Sequence, residues 1–247
     1  RADRGVAIVM HSQTGAVLSM ATYPQFDPNR YTDFDRSTFL NRAITVGYEP
    51  GSTFKILTIA AALEEKLITP EEEFFCENGT FRFAGEDFHD TSPHGNLNIE
   101  QIIQKSSNIC AIKIGTLLSP EKFYEYIRRF GFGSRPESGL SGEALGRVLP
   151  LQRWTRVDHA SISFGHGILV SPLQLVSALN VVAADGKWLH PYIVDHAFSE
   201  EGEIILKTLD EEGEISQKFG AHFPKQLISA ETAQILRKMM ISVTQEG

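Results

Sequence analysis

The sequence predicts an α+β fold in layers: an antiparallel sheet flanked by helices, with a helical region inserted between outer strands. Three observations carry that expectation. β-Prone runs lie toward the two ends of the chain and the strong helical signals lie between them. One helix, over 52–66, is apolar on nearly every side, as a helix buried inside a core must be. A chain of 247 residues that is 42% hydrophobic and 22% charged can bury such a core, as one large domain or two small ones.

The elements follow in order. Residues 6–10 are apolar and β-prone, Ser12-Gln13-Thr14-Gly15 signals a turn, and 16–23 reads as the returning strand of a hairpin. Residues 24–42 read as loop, with Asp27-Pro28-Asn29 as a turn. The buried helix follows and is closed by Thr69-Pro70. Residues 71–97 are acidic, aromatic and Gly-rich without a helical period, and predict short strands and loops. Asn98 caps a helix over 99–104, with Gln101 in the capping-box position, and that helix stops near Ser106. Further helices are predicted over 109–118, from Ser119-Pro120 through 130, over 154–160, and from Ser171-Pro172 through 184. Residues 131–146 form a Gly-rich loop, and Gly165 and Gly167 bracket a tight turn. A second hairpin pairs 191–198 with 203–209 around Glu200-Glu201-Gly202, and Ser229 caps a last helix to 243.

The bulk chemistry excludes some functions. A net charge of -8 argues against a nucleic-acid partner and against a basic membrane-surface face, and is compatible with an enzyme acting on a small molecule or peptide. The two cysteines, Cys76 and Cys110, are too few for a disulfide framework and read as unpaired thiols. No run approaches the ~18 apolar residues of a membrane span. The chain begins Arg1-Ala2-Asp3 without an initiator Met, which reads as a processed or excised piece. No zinc pattern or phosphate loop is present, so neither a metal nor a cofactor is expected. His89, Asp90 and His94 have no metal-ligand spacing and read as structural or surface residues, and the acidic run Asp210–Glu214 as a solvated segment. Trp154 and the phenylalanines read as core.

One residue resists a packing explanation. Lys55 lies in the apolar helix, where lysine is almost never buried unless paired or functional. Ser52 stands three residues before it, at the helix start, so both side chains share one face. Burial lowers an ammonium pKa and frees the amine to accept a proton, which a serine must lose to attack a carbonyl. The positive end of the helix favours a developing oxyanion nearby. S-x-x-K occurs a second time, at Ser119 and Lys122, but there Ser119 precedes Pro120 and Glu121 as an N-cap on a solvated helix. The lone S-x-N string is Ser106-Ser107-Asn108. On a continuous helix Ser106 and Asn108 point apart, whereas in a turn between helices a hydroxyl and a carboxamide can converge to relay a proton and hold a peptide group. The same string alone also fits simple capping. Glu49 is read as complementing the helix dipole or pairing locally.

Six ordered blocks carry a resemblance: YPQFDPN at 23–29, NRAITVGYEPGSTFK at 41–55, SSN at 106–108, FGFG at 130–133, SGEALGRVLP at 141–150 and SFGHGILVSPLQL at 163–175. With them the chain resembles the transpeptidase domain of a class B penicillin-binding protein, the division (septal) type more than the elongation type. The resemblance implies the fold shared by these proteins and serine β-lactamases, one domain over 1–247 and a helical subdomain over roughly 68–160. It implies that Ser52 attacks the carbonyl between the last two D-alanines of a peptidoglycan stem peptide and that Lys55 takes its proton. It further implies that Ser106 relays a proton, that Asn108 holds Lys55 and a substrate amide, and that the Ser52 N–H forms half of the oxyanion hole. The turn Gly165-His166-Gly167 would wall the cleft. β-Lactams would acylate Ser52, a cell-wall glycosyltransferase and division proteins would be partners, and the domain would work at the extracytoplasmic face of the inner membrane behind an N-terminal anchor.

The family's K-[ST]-G motif is absent. Lys207-Thr208-Leu209 is the nearest string, and its Leu takes the place of a Gly that permits close backbone approach. The expected strand would follow the last helix, and the sequence ends at Gly247, which reads as a domain lacking its C-terminal strands. A catalytically silent scaffold that keeps the fold, and a β-lactam-hydrolysing or β-lactam-sensing relative, are the alternative readings. The SGEALGRVLP and SPLQL segments argue against the latter.

Overall fold

In the computed structural model, residues 2–208 and 225–244 are described. The N-terminal hairpin forms as its alternation requires. Strands β1 (Gly5–Met10) and β2 (Val17–Tyr23) run antiparallel, with Ile8 opposite Met20. The stretch after β2 is not featureless loop. It folds into two 3-10 turns, Pro28–Asp33 and Arg36–Phe39, because Asp27 and Asp35 accept backbone N–H groups at their starts. A short helix, α1 (Arg42–Thr45), leads to the buried helix α2 (Lys55–Glu64).

The acidic, aromatic segment builds strands in two hairpin-like pairs. β3 (Glu73–Phe75) pairs at a distance with β6 (Asn96–Asn98), and inside that pair β4 (Thr80–Phe83) turns back as β5 (Glu86–His89). Helix α3 (Ile99–Lys105) starts on the Asn98–Gln101 capping box, with both reciprocal bonds made. Helices α4 (Asn108–Gly115) and α5 (Pro120–Arg129) follow, then α6 (Arg156–Ile162) and α7 (Pro172–Ala183). Strand β7 (Lys187–Trp188) precedes the hairpin of β8 (His196–Phe198) and β9 (Ile204–Lys207). β10 (Lys225–Gln226) returns to pair with β7, and α8 (Ala230–Val243) closes the described chain. Leu209, the run Asp210–Glu214 and Gly247 lie outside the described residues.

Among the described residues the strands form five two-stranded antiparallel ladders. The core sits between the helices. α2 packs against α3, α4, α5, α7 and α8. Its residues Leu57, Ile59, Ala60, Ala61 and Ala62 are each 2% exposed or less. Small side chains at 60–62 let five helices approach one axis, and larger ones there would hold them apart. The β1–β2 hairpin lays Ile8, Met10, Val17 and Met20 on Ala43, Ile44 and Leu173, which joins it to α1 and α7. Glu64 at the end of α2 accepts bonds from the Ser229 N–H and hydroxyl and the Thr232 hydroxyl, so the cap of α8 is anchored on the core helix.

The reading of two unpaired thiols is overturned. Cys76 and Cys110 form a disulfide, with Cα atoms 5.3 Å apart. They are 34 residues apart in sequence and meet only because α4 folds back beside β3 and the turn after it.

Candidate active site

Ser52 lies on a 3-10 turn, Gly51–Phe54, and Lys55 is the residue at which that turn becomes α2. The helix predicted from Ser52 is therefore tighter at its start. In a 3-10 turn residues i and i+3 eclipse, so Ser52 and Lys55 face each other more directly than on an α-helix. Ser52 is exposed, and Lys55 is only 2% exposed.

The third member comes from the break between α3 and α4. Ser106 is left-handed there (φ 55°, ψ 41°) and Ser107 is extended, so the chain turns sharply. Lys55 Nζ donates to Ser52 Oγ at 3.1 Å, to Ser106 Oγ at 2.9 Å, and to the Ser106 carbonyl. Ser106 Oγ donates to Ser52 Oγ at 2.8 Å. Three acceptors match the three donors of an ammonium. With one proton gone, two N–H bonds can remain on Ser106 and the lone pair can face the Ser52 hydroxyl. Burial pushes the Lys55 pKa down to about 8, against an opposing pull from the Asp90 carboxylate. A base with that pKa is about one-tenth neutral at pH 7, close to what proton abstraction at neutral pH requires.

Asn108 does not join the triangle. Its side-chain amide donates to the His89 carbonyl at 3.0 Å, so the turn forms but its hydroxyl and carboxamide serve different partners. The turn at Gly165-His166-Gly167 docks on the turn that carries Ser52. The Gly51 N–H donates to the Gly165 carbonyl at 3.1 Å, and the Gly167 N–H to Glu49 Oε1 at 2.8 Å. Glu49 therefore binds a segment 118 residues away and not a local partner. Gly165 has φ +83°, and a Cβ there would lie 2.2 Å from the Gly51 carbonyl oxygen. His166 is exposed, with its ring 4.8 Å from the Phe164 ring.

Two other strings resolve plainly. Ser119 Oγ accepts the Lys122 N–H as an N-cap, and Lys122 Nζ pairs with Glu125 at 3.2 Å and Glu65 at 3.6 Å. The second S-x-x-K is thus a cap and a surface ion pair. Thr208 is buried and donates its hydroxyl to the Val194 carbonyl, a hairpin contact. Among the described residues no group of three or more His, Cys, Asp or Glu is placed to hold a metal ion.

The sequence reads Asp90 as a structural or surface residue, and the structure gives it structural partners. Its carboxylate accepts from Ser107 Oγ at 2.6 Å, from the Asn108 N–H at 2.5 Å and from the Ile109 N–H at 3.1 Å. No local signal marks it, because its partners lie 17 to 19 residues away.

Comparison with known proteins bears on this geometry. The family model for the penicillin binding protein transpeptidase domain matches residues 5–247. Stage V sporulation protein D of Bacillus subtilis is 34% identical over 249 residues, covering 99% of this chain and 37% of that protein. A probable peptidoglycan D,D-transpeptidase PenA of Neisseria flavescens is 31% identical over 247 residues, covering 100% of this chain and 56% of that protein. Penicillin-binding protein 3 of Mycobacterium tuberculosis, solved in complex with aztreonam, superposes with a TM-score of 0.87 at 28% identity over 99% of this chain and 52% of that one. The chain thus spans from about a third to just over half the length of these relatives.

Proposed function

The chain belongs to the penicillin-binding-protein transpeptidase family, and from that membership we propose that it crosslinks peptidoglycan stem peptides through an acyl-enzyme on Ser52. The observation that carries this reading is the closed triangle of Ser52, Lys55 and Ser106 around a buried amine of lowered pKa. Neutral Lys55 takes the Ser52 proton as Oγ attacks the carbonyl between the terminal two D-alanines. The C–N bond then breaks, and the departing amine receives a proton from Lys55 through Ser106 Oγ, which is bonded to Lys55 Nζ and to Ser52 Oγ. The amino group of a neighbouring stem attacks the ester, gives up a proton by the same route, and Ser52 is released with a new amide formed. The Ser52 N–H, on the 3-10 turn that leads into α2, supplies one oxyanion donor. Asn108 faces the substrate amide, and Gly165, His166 and Gly167 wall the cleft on the Ser52 side. That placement is supported by the docking of this turn on Gly51 and Glu49.

β-Lactams are expected to acylate the same serine, since a relative of the same fold is solved with aztreonam. The Cys76–Cys110 disulfide supports an oxidising, extracytoplasmic setting, because cytosolic thiols are kept reduced. Among the described residues no helix is long and apolar enough to cross a membrane.

The test uses the full-length protein with a fluorescent penicillin. Intact mass should show one adduct, lost in Ser52→Ala and kept in Ser119→Ala. Labelling that survives Ser52→Ala would sink the assignment, and a wild type that takes no label would favour a catalytically silent scaffold.

A further inference from the structure

A cavity of about 330 Å³ opens between the loop that follows α5, the middle of α7 and strand β7. None of Ser52, Lys55, Ser106 or Asn108 lines it. Its size is that of a small-molecule site and about ten times the ~30 Å³ share of one water. Its buried end is formed by Ser177 and Gln174 of α7, which are 1% and 2% exposed. On a helix a serine hydroxyl often turns back to the carbonyl four residues before it. The Ser177 hydroxyl does not. Among the described residues it is the buried side-chain polar atom with no hydrogen-bond partner, an arrangement that is unfavourable and uncommon. Gln174 beside it is fully used. Its Nε2 donates to the Ser134 carbonyl at 2.7 Å and the Leu145 carbonyl at 3.0 Å, and its Oε1 accepts the Ser171 N–H at 2.8 Å. The Ser177 hydroxyl is left for what enters the cavity.

Charge on the lining is the second observation. Arg135 is exposed at the mouth, and its guanidinium makes no hydrogen bond or ion pair with a described residue. Arg129 also lines the cavity. It donates to the Leu227 carbonyl at 2.7 Å and lies 3.7 Å from Glu125, so its charge is met in part. Two arginines against the carboxylate of Glu137 leave the lining positive. The walls are held before any ligand arrives. Buried Glu143 accepts the Glu137 N–H at 2.6 Å and the Ser138 N–H at 2.8 Å, and the Glu137 carbonyl accepts His190 Nε2 at 2.9 Å. Those bonds and the Gln174 bond to Ser134 fix the chain on both sides of Arg135. The Trp188 ring sits so close to Gly131 that a Cβ there would come within 2.5 Å of it. Trp188 and Pro136 give the cavity an apolar wall.

We propose that this cavity is a second binding site, for a small organic carboxylate with an apolar body: the carboxylate takes the Arg135 guanidinium and the Ser177 hydroxyl, and the body lies on Trp188 and Pro136. A planar carboxylate matches the fork of a guanidinium, and its oxygens accept from an O–H as well as from N–H groups. Phosphate fits less well. It brings close to two negative charges beside Glu137 and has no apolar part for the wall. The site stands apart from the reading of Ser52 as nucleophile, since it shares no residue with it.

The test titrates the full-length protein with benzoate and follows the indole N–H signals by NMR, with Trp188→Phe to assign them. Benzoate should shift the Trp188 signal in a saturable way, with a Kd of about 1 mM, and leave the Trp154 signal in place. Benzamide has the same shape without the charge and should bind at least about tenfold more weakly, as should inorganic phosphate. Arg135→Gln, a surface change, should weaken benzoate about tenfold or more and abolish its advantage over benzamide. Ser177→Ala should weaken benzoate about threefold. Prior acylation by penicillin should leave benzoate binding unchanged. No saturable shift of Trp188 up to about 20 mM, benzamide or phosphate binding as tightly as benzoate, or unchanged affinity in either variant overturns the proposal. Loss of benzoate binding on acylation overturns it too, by placing the probe at Ser52. A wild type that takes no penicillin defeats the reading of Ser52 instead, and leaves the benzoate titration to judge the cavity.

Discussion

Lys55 sits where two demands meet. As the proposed base, its amine must be buried to lose a proton at neutral pH, and burial of a charge destabilises the fold. The sign follows from proton binding. The folded pKa of about 8 lies below the unfolded value, so between those two values the unfolded chain binds more protons and stability rises with pH. Below about pH 8 the cost is present in full, on the order of 3 kcal/mol before its hydrogen bonds are counted. Lys55→Met should therefore be stabilised relative to wild type at pH 7, and the gap should narrow between pH 8 and 10.5, as read by urea denaturation at each pH. Acylation should fall by about a hundredfold or more in the same variant. A gap that stays constant with pH would show that Lys55 is not desolvated in the folded protein.

At the scale of elements, the site is an agreement between three turns. The 3-10 turn at Gly51–Phe54 carries Ser52, the break after α3 carries Ser106, and the turn at Gly165–Gly167 is hydrogen-bonded to the first. Close backbone approach makes Gly165 hard to replace. Gly165→Ala should cost about 2–3 kcal/mol and slow acylation about tenfold, because either the new Cβ or the Gly51 carbonyl must move. Gly202 has a similar φ of +85° but nothing within 4 Å of an added Cβ. Gly202→Ala should therefore cost only about 1 kcal/mol and leave acylation unchanged. Thermal denaturation and penicillin labelling of the pair separate contact from backbone strain. Equal effects in the two variants would refute the docking argument.

Across the whole molecule, the Cys76–Cys110 bridge closes a loop that contains the β4–β5 hairpin, Asp90 and the Ser106–Asn108 turn. A bridge spanning 34 residues is worth about 3–4 kcal/mol by loss of unfolded-state freedom. Cys76→Ser with Cys110→Ser should lower the Tm by about 6–16 °C, given ~2–4 °C per kcal/mol for a chain of this size. Dithiothreitol should lower the wild type to the same value and leave the double variant unchanged. A wild type without reductant that melts at the same temperature as the double variant would show that the bridge does not form.

What the sequence by itself determined is what neighbours a few residues apart can decide. The Asn98–Gln101 capping box, the caps at Ser119, Ser171 and Ser229 and the all-apolar run of α2 are local patterns, and each formed as read. Lys55 was conspicuous for the same reason, as a charge inside that run, and six ordered motifs pointed to the family. Tertiary structure alone decided how the candidate site closes and which distant groups hold it. Ser106 reaches Ser52 across 54 residues, Glu49 reaches Gly167 across 118, Cys76 finds Cys110, and Asp90 takes the first N–H groups of α4. A carboxylate or a thiol has the same local signature whether it meets solvent or a helix end. Its partner is chosen by how the helices pack around α2, and that packing depends on apolar surfaces brought together from the whole chain.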